Sequence, residues 1–177
     1  MVVPVVTPSL AGHRVELFGG AGNDIFRETS YGTAAYGGAG DDLFVNPGFG
    51  AFLFGGDGFD TLTFALATSS VRLEFSDHDG MERIVGTRYG DQIEAGTATG
   101  ERITIEGGAG ADILEGGAGH EWLYGGADRD VMDGWLGDYF LFGGDGHDDM
   151  REHDVGRRRR RPDVDGRRRP HDGWCRK

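Results

Sequence analysis

The sequence predicts a solenoid built from very short repeats, and three observations carry that expectation. A nine-residue pattern of glycine and aspartate recurs along residues 10–151. One position of the pattern is apolar in every regular copy. Glycine accounts for 34 of 177 residues and proline for only 5. That balance suits tight turns and excludes collagen, which needs proline together with glycine at every third position. Hydrophobic residues make up 37%, below the usual ~45–50%, so a thick conventional core is not expected.

Five segments follow in order. Residues 1–9 are a lead-in. Residues 10–63 form a first regular block, in which Gly19-Gly20-Ala21-Gly22-Asn23-Asp24-Ile25-Phe26-Arg27 recurs as Gly37-Gly38-Ala39-Gly40-Asp41-Asp42-Leu43-Phe44-Val45. It recurs again as Gly55-Gly56-Asp57-Gly58-Phe59-Asp60-Thr61-Leu62-Thr63, each start 18 residues after the last. Residues 64–106 break the register. A second block, 107–151, opens with Gly107-Gly108-Ala109-Gly110-Ala111-Asp112-Ile113-Leu114-Glu115 and continues with units at 116, 125, 134 and 143. Residues 152–177 are a basic tail.

This nonapeptide, G-G-x-G-x-D-x-U-x, resembles the calcium-binding repeat of the RTX, or hemolysin-type, family. The resemblance implies an all-β chain: a right-handed parallel β-roll with two nonapeptides per turn. The first six residues of each unit would form a metal-binding loop and the last three a short strand. It also implies the setting of the β-roll region of bacterial toxins, proteases and lipases exported by type I secretion machinery.

The eighth position supports an inward column independently. It reads Leu17, Phe26, Ala35, Phe44, Leu53, Leu62 in the first block and Ile105, Leu114, Leu123, Met132, Leu141, Met150 in the second. A 37% apolar composition would put only about four apolar residues in twelve places. Each turn is too thin to fold alone, so the column is the core of a stack. The next residue in register is Arg159, which ends the roll near 151.

The sixth position reads Val15, Asp24, Thr33, Asp42, Ala51, Asp60, and later Ile103, Asp112, Glu121, Asp130, Tyr139, Asp148. Aspartate thus occupies alternate units. With two units per turn, all six aspartates are expected on one edge of the roll. In the middle, Val71, Leu73 and Phe75 alternate like a strand, and Asp77-His78-Asp79-Gly80 reads as a turn. Gly86-Thr87-Arg88-Tyr89-Gly90-Asp91-Gln92-Ile93-Glu94 looks like a decayed unit, and residues 95–97 like a short insertion. The roll is expected to run through this segment in distorted form.

Parallel strands lie about 4.8 Å apart, so aspartates at period 18 stack into ladders. Two such charges about 5 Å apart repel by roughly 3 kcal/mol at an effective dielectric near 20. A divalent ion between rungs turns that repulsion into coordination. Glycine loops can turn carbonyl oxygens inward, completing an all-oxygen environment of the kind calcium accepts, whereas magnesium demands a tighter octahedron. Zinc prefers nitrogen and sulfur. The expected calcium loops are therefore Gly19, Gly20, Gly22 and Asp24; Gly37, Gly38, Gly40 and Asp42; and Gly55, Gly56, Gly58 and Asp60. In the second block they are Gly107, Gly108, Gly110 and Asp112; Gly125, Gly126 and Asp130; and Gly143, Gly144, Gly146 and Asp148. Three loops enclose two gaps, so the ladders would hold about four ions in all. Asp128 replaces a glycine in the 125 loop but tolerates positive φ better than most residues. Glu121 substitutes a longer acid, with no acid after it at Tyr139, so a full site is not expected there.

Net charge is −12. Residues 1–150 carry 7 basic and 25 acidic side chains, and residues 151–177 carry 11 and 5. The acidic body repels nucleic acid and attracts cations; the tail is expected to be solvated and disordered. Cys175 stands alone, which excludes an intrachain disulfide, and no run approaches the ~18 apolar residues of a membrane helix. His120-Glu121-Trp122-Leu123-Tyr124 resembles the start of a zinc-protease H-E-x-x-H helix but has tyrosine at the fifth place. No nucleophile elbow, phosphate loop or Cys–His pair occurs. The chain is thus expected to be no enzyme but a monomeric, secreted calcium-binding module that folds outside the cell. The rival expectations are a part of a secreted hydrolase and an adhesive, surface-binding module.

Overall fold

The computed structural model describes residues 15–27, 29, 32–48, 50–74, 78–96 and 102–151. The lead-in 1–9 and the tail 152–177 lie outside them. Regular structure among the described residues is strand throughout, and no helix among them is long and apolar enough to cross a membrane.

Sixteen strands, numbered in chain order, form three parallel sheets. The seven-stranded sheet comprises β2 (Ile25–Arg27), β4 (Leu43–Val45), β6 (Thr61–Thr63), β9 (Arg83–Val85), β11 (Arg102–Ala109), β13 (His120–Ala127) and β15 (Asp138–Asp145). The chain leaves it after each strand for the other wall of the roll. Along the early turns that wall is β1 (Glu16–Ala21), β3 (Ala34–Ala39), β5 (Phe52–Asp57) and β8 (His78–Asp79). Along the later turns it is β7 (Arg72–Glu74), β10 (Gln92–Glu94), β12 (Ile113–Glu115), β14 (Val131–Asp133) and β16 (Asp149–Arg151). Glu16 pairs with Ala34 and Arg102 with His120, both 18 residues apart. One turn is therefore two nonapeptides, and the fold is a parallel β-roll.

The strands are short because the chain must reverse every nine residues. Most three-residue strands contribute one central side chain to the interior. Phe44, Leu53, Leu62, Ile105, Leu114, Leu123 and Met132 are completely buried. Leu73, Ile84 and Ile93 take the same mid-strand place in β7, β9 and β10, so the core continues through the irregular middle. Because β9 pairs with β6 on one side and β11 on the other, the seven-stranded sheet is unbroken there. The column weakens at its ends: Leu17 and Leu141 are half-buried, and Met150 is 42% exposed. Met150 lies on β16, the outermost strand of its sheet, where no further described strand covers it. His78 and Asp79, expected in a turn, instead form β8 and pair with Leu53 and Phe54, supplying the partner that β5 needs on its outer side.

Since every interior side chain touches turns above and below, Leu123→Ala is expected to cost about 2–5 kcal/mol through lost burial and a cavity. A urea midpoint measured in saturating calcium checks this; a change within 0.5 kcal/mol (about the scatter of surface substitutions) would contradict the packing.

The walls carry aromatic stacks at the same period. Phe18, Tyr36 and Phe54 stack with centroids 4.9 and 4.8 Å apart, and Tyr124 stacks on Phe142 at 4.7 Å. Trp122 meets Phe140 edge-on at 5.4 Å. The segment resembling a metalloprotease helix is strand β13, so its histidine and glutamate alternate across a sheet.

Candidate metal centre

Each glycine-aspartate loop joins a strand of one wall to a strand of the other, and its glycines do two different things. The second and fourth adopt the left-handed region, as at Gly38 (φ 114°) and Gly40 (φ 124°). Where Asp128 stands in the fourth place, it keeps φ at 82°, and its Oδ2 accepts the Gly110 N–H at 3.2 Å. The first glycine is needed for space. A Cβ on Gly19 would lie 2.6 Å from both Asp24 Oδ2 and the Gly37 carbonyl oxygen. The same pair of oxygens, the loop's own aspartate and the next loop's first carbonyl, crowds Gly37, Gly107 and Gly125.

Between loops the carboxylates form ladders. Asp24 N–H donates to Asp42 Oδ1 at 2.8 Å, and Asp42 N–H to Asp60 Oδ1 at 2.7 Å. In the second block Asp112 N–H donates to Asp130 Oδ1 at 2.9 Å, and Asp130 N–H to Asp148 Oδ1 at 3.1 Å. One oxygen of Asp42, Asp60, Asp130 and Asp148 thus secures the loop before it. A second set of oxygens has no partner: Oδ2 of Asp24, Asp42, Asp60, Asp112 and Asp130 is buried without a hydrogen bond. Burial pushes the Asp112 carboxyl up to about 7, an effect that backbone N–H donation opposes and the Asp91 and Asp130 carboxylates reinforce. Asp42, Asp60 and Asp130 are raised for the same leading reason.

A buried, unpartnered carboxylate oxygen is costly unless a cation or proton meets it. The residues present fit calcium: hard oxygen donors, one carboxylate per loop, and carbonyls beside each. Among the described residues no three carboxylate, imidazole or thiol side chains converge on one point. Carbonyl oxygens would therefore supply much of the coordination, as calcium permits.

The expectation that all six aspartates share one edge is overturned. Asp24, Asp42 and Asp60 immediately precede β2, β4 and β6 of the seven-stranded sheet. Asp112, Asp130 and Asp148 come after β11, β13 and β15 of the same parallel sheet. The start and finish of a parallel sheet are opposite edges, so the two ladders lie on opposite edges of the roll. The cause is the middle segment. Between Asp24 and Asp42 the chain crosses the walls twice, through β2 and β3. Between Asp60 and Asp112 it crosses an odd number of times: β6, then β7 with β8, then β9, β10 and β11.

Two carboxylates outside the expected loops join the ladders. Asp91 N–H donates to Asp112 Oδ1 at 2.7 Å, so Asp91 begins the second ladder. Its spacing to Asp112, 21 residues rather than 18, was the signal available in the sequence. Unlike the others, Asp91 is satisfied: Oδ2 accepts the Thr87 N–H at 2.6 Å, and Oδ1 accepts the Thr87 hydroxyl at 3.0 Å. On the first edge, Asp60 N–H donates to Glu82 Oε2 at 2.6 Å. No glycine pattern surrounds Glu82, and nothing in the sequence marks it. Glu121 also lies on the first edge; its Oε1 accepts the Gly119 N–H at 2.9 Å, while Oε2 is buried without a partner.

Comparison with protein-family models matches the RTX calcium-binding nonapeptide repeat in four copies, at residues 16–27, 104–132 and 115–150. A comparison with curated proteins finds no match. The matched segments fall in both blocks and contain Asp24, Asp112, Asp130 and Asp148, four of the six repeat aspartates; Asp42 and Asp60 lie outside them. Residues 16–27 and 104–150 are thus similar to RTX calcium-binding repeats, and the fold that carries them is a parallel β-roll.

Proposed function

We propose that this chain is a calcium-responsive folding module of a secreted protein, unfolded where calcium is scarce and assembled where it is millimolar. The observation that carries the reading is the set of buried, unpartnered aspartate oxygens stacked along both edges of the roll. Without a cation these charges oppose the compact state; with one between rungs they hold it. Extracellular calcium modules bind at about 10⁻⁴–10⁻³ M. An ion that binds only the folded form converts its occupancy into folding free energy. Asp24, Asp42 and Asp60 with their glycine loops would hold ions on one edge, and Asp112, Asp130 and Asp148 on the other. Each ladder encloses two gaps between its repeat loops, about four ions in all.

Secretion follows from the company RTX repeats keep, and type I machinery is the partner we assign to it. The chain would act as a monomer and without catalysis of its own: its repeats carry no catalytic motif, and the described residues of the middle segment serve core and ladder.

Far-ultraviolet circular dichroism during titration with calcium, run beside magnesium, tests this. A β signal that rises with calcium at sub-millimolar to millimolar concentration, and needs far more magnesium, is expected. A full β signal in chelator, or equal response to both ions, would contradict it.

A further inference from the structure

From the turn that follows the last loop of the first block, we infer that Gly80 and Glu82 complete a further calcium site against Asp60. This rests on the reading of the ladders as calcium sites. In each regular gap two features recur: the upper aspartate N–H is held by a carboxylate oxygen of the rung below, and the lower loop's first-glycine carbonyl packs beside the upper aspartate's unpartnered Oδ2. Both are reproduced below Asp60 without a repeat. Glu82 Oε2 takes the Asp60 N–H at 2.6 Å, in the role Asp60 Oδ1 plays for Asp42. The Gly80 carbonyl oxygen and Asp60 Oδ2 both lie where a Cβ on Gly55 would stand, as the Gly55 carbonyl and Asp42 Oδ2 do at Gly37.

Asp60 is 0% exposed, and its Oδ2 has no hydrogen bond. That oxygen is a buried acceptor without a donor at the place where the ladder would otherwise end. Gly80 reaches the position through φ of 70°, a conformation that favours glycine. The glutamate is one methylene longer than the aspartate it replaces, which suits a turn shorter than a nonapeptide loop. It sits one residue before β9, on the same edge as Asp24, Asp42 and Asp60. The donor set is carboxylate and carbonyl oxygen only, which selects calcium over zinc.

The gap above Asp112 provides a contrast. There Thr87 replaces the second glycine, and its N–H and hydroxyl satisfy the Asp91 carboxylate. Ladder membership alone therefore does not leave an oxygen unpartnered; at Asp60 the turn leaves one open.

The test counts ions on the full chain by native mass spectrometry and calcium calorimetry. Glu82→Gln keeps an acceptor for the Asp60 N–H but removes the charge, and is expected to bind one ion fewer than the parent while reaching the same dichroism at saturation. Glu82→Asp, too short to serve both roles, should weaken one site about tenfold and leave the others alone. An unchanged count and affinity in Glu82→Gln overturns the proposal, as does an unchanged affinity in Glu82→Asp should the glutamine variant not fold. Loss of all calcium binding in the parent chain would instead overturn the reading of the ladders themselves.

Discussion

Asp42→Ala is expected to remove up to two calcium ions from the roll, and Asp24→Ala at most one. Asp42 lies between two gaps of the first ladder: its Oδ1 faces Asp24 and its N–H faces Asp60. Its Oδ2 is buried and unpartnered, so both neighbouring ions would draw on this one carboxylate. Asp24 borders a single gap within the first block. The substitution also leaves the Asp24 N–H without its acceptor, and an unsatisfied buried donor costs about 1–3 kcal/mol. The first block should consequently need more calcium to fold than the second, splitting a single titration into two phases. Thr33→Ala is the control. Thr33 is buried on the opposite edge, and it is its backbone carbonyl that accepts the Phe52 N–H, a bond alanine preserves. Calorimetry on the three variants decides the matter: equal losses for Asp24 and Asp42, or a marked loss for Thr33, would show that ions are held within single loops.

Acidification should act in opposite directions on the metal-free and calcium-loaded chain. The Asp112 carboxyl is raised to about 7 by burial, and Asp42, Asp60 and Asp130 are raised as well. In the unfolded chain an aspartate titrates near 3.9. Between roughly 4 and 7 the folded roll therefore binds more protons than the unfolded chain, and stability falls as pH rises. In chelator the compact state is favoured below that window and loses this contribution as pH rises through about 7. With calcium present the proton is a competitor, so binding must release it. The calcium concentration at half-folding should rise as pH drops from 7 to 5, approaching tenfold per pH unit if one proton is displaced. Titrations in buffers of different ionisation enthalpy measure the released protons directly. A midpoint indifferent to pH over that range would mean that the buried carboxylates are not where the ion binds.

These two experiments probe ladders whose composition was legible in the sequence to different degrees. The period, the inward column and the glycine-aspartate loops are local properties, each written within nine residues and repeated. A side chain at the eighth place has only one direction to face when the chain reverses at fixed intervals, which is why Leu53, Leu62, Leu114 and Leu123 are all completely buried. Asp128 could likewise be foreseen in a left-handed conformation, because tolerance of positive φ belongs to the residue itself.

Which edge each ladder occupies is not local. It depends on how many times the chain crosses the roll between Asp60 and Asp112, and those residues have no period from which to count. Only the strand pairings show the number to be odd, placing the second ladder opposite the first. Glu82 was illegible for a related reason. It acts through a partner 22 residues away, across a turn that reproduces a repeat loop's hydrogen bond without its sequence. The sequence by itself determined the repeating unit and its chemistry, since both follow from backbone reversal and residue type. The tertiary structure alone decided the arrangement of those units in space, because a half-turn gained or lost in an irregular segment moves every later carboxylate to the other edge.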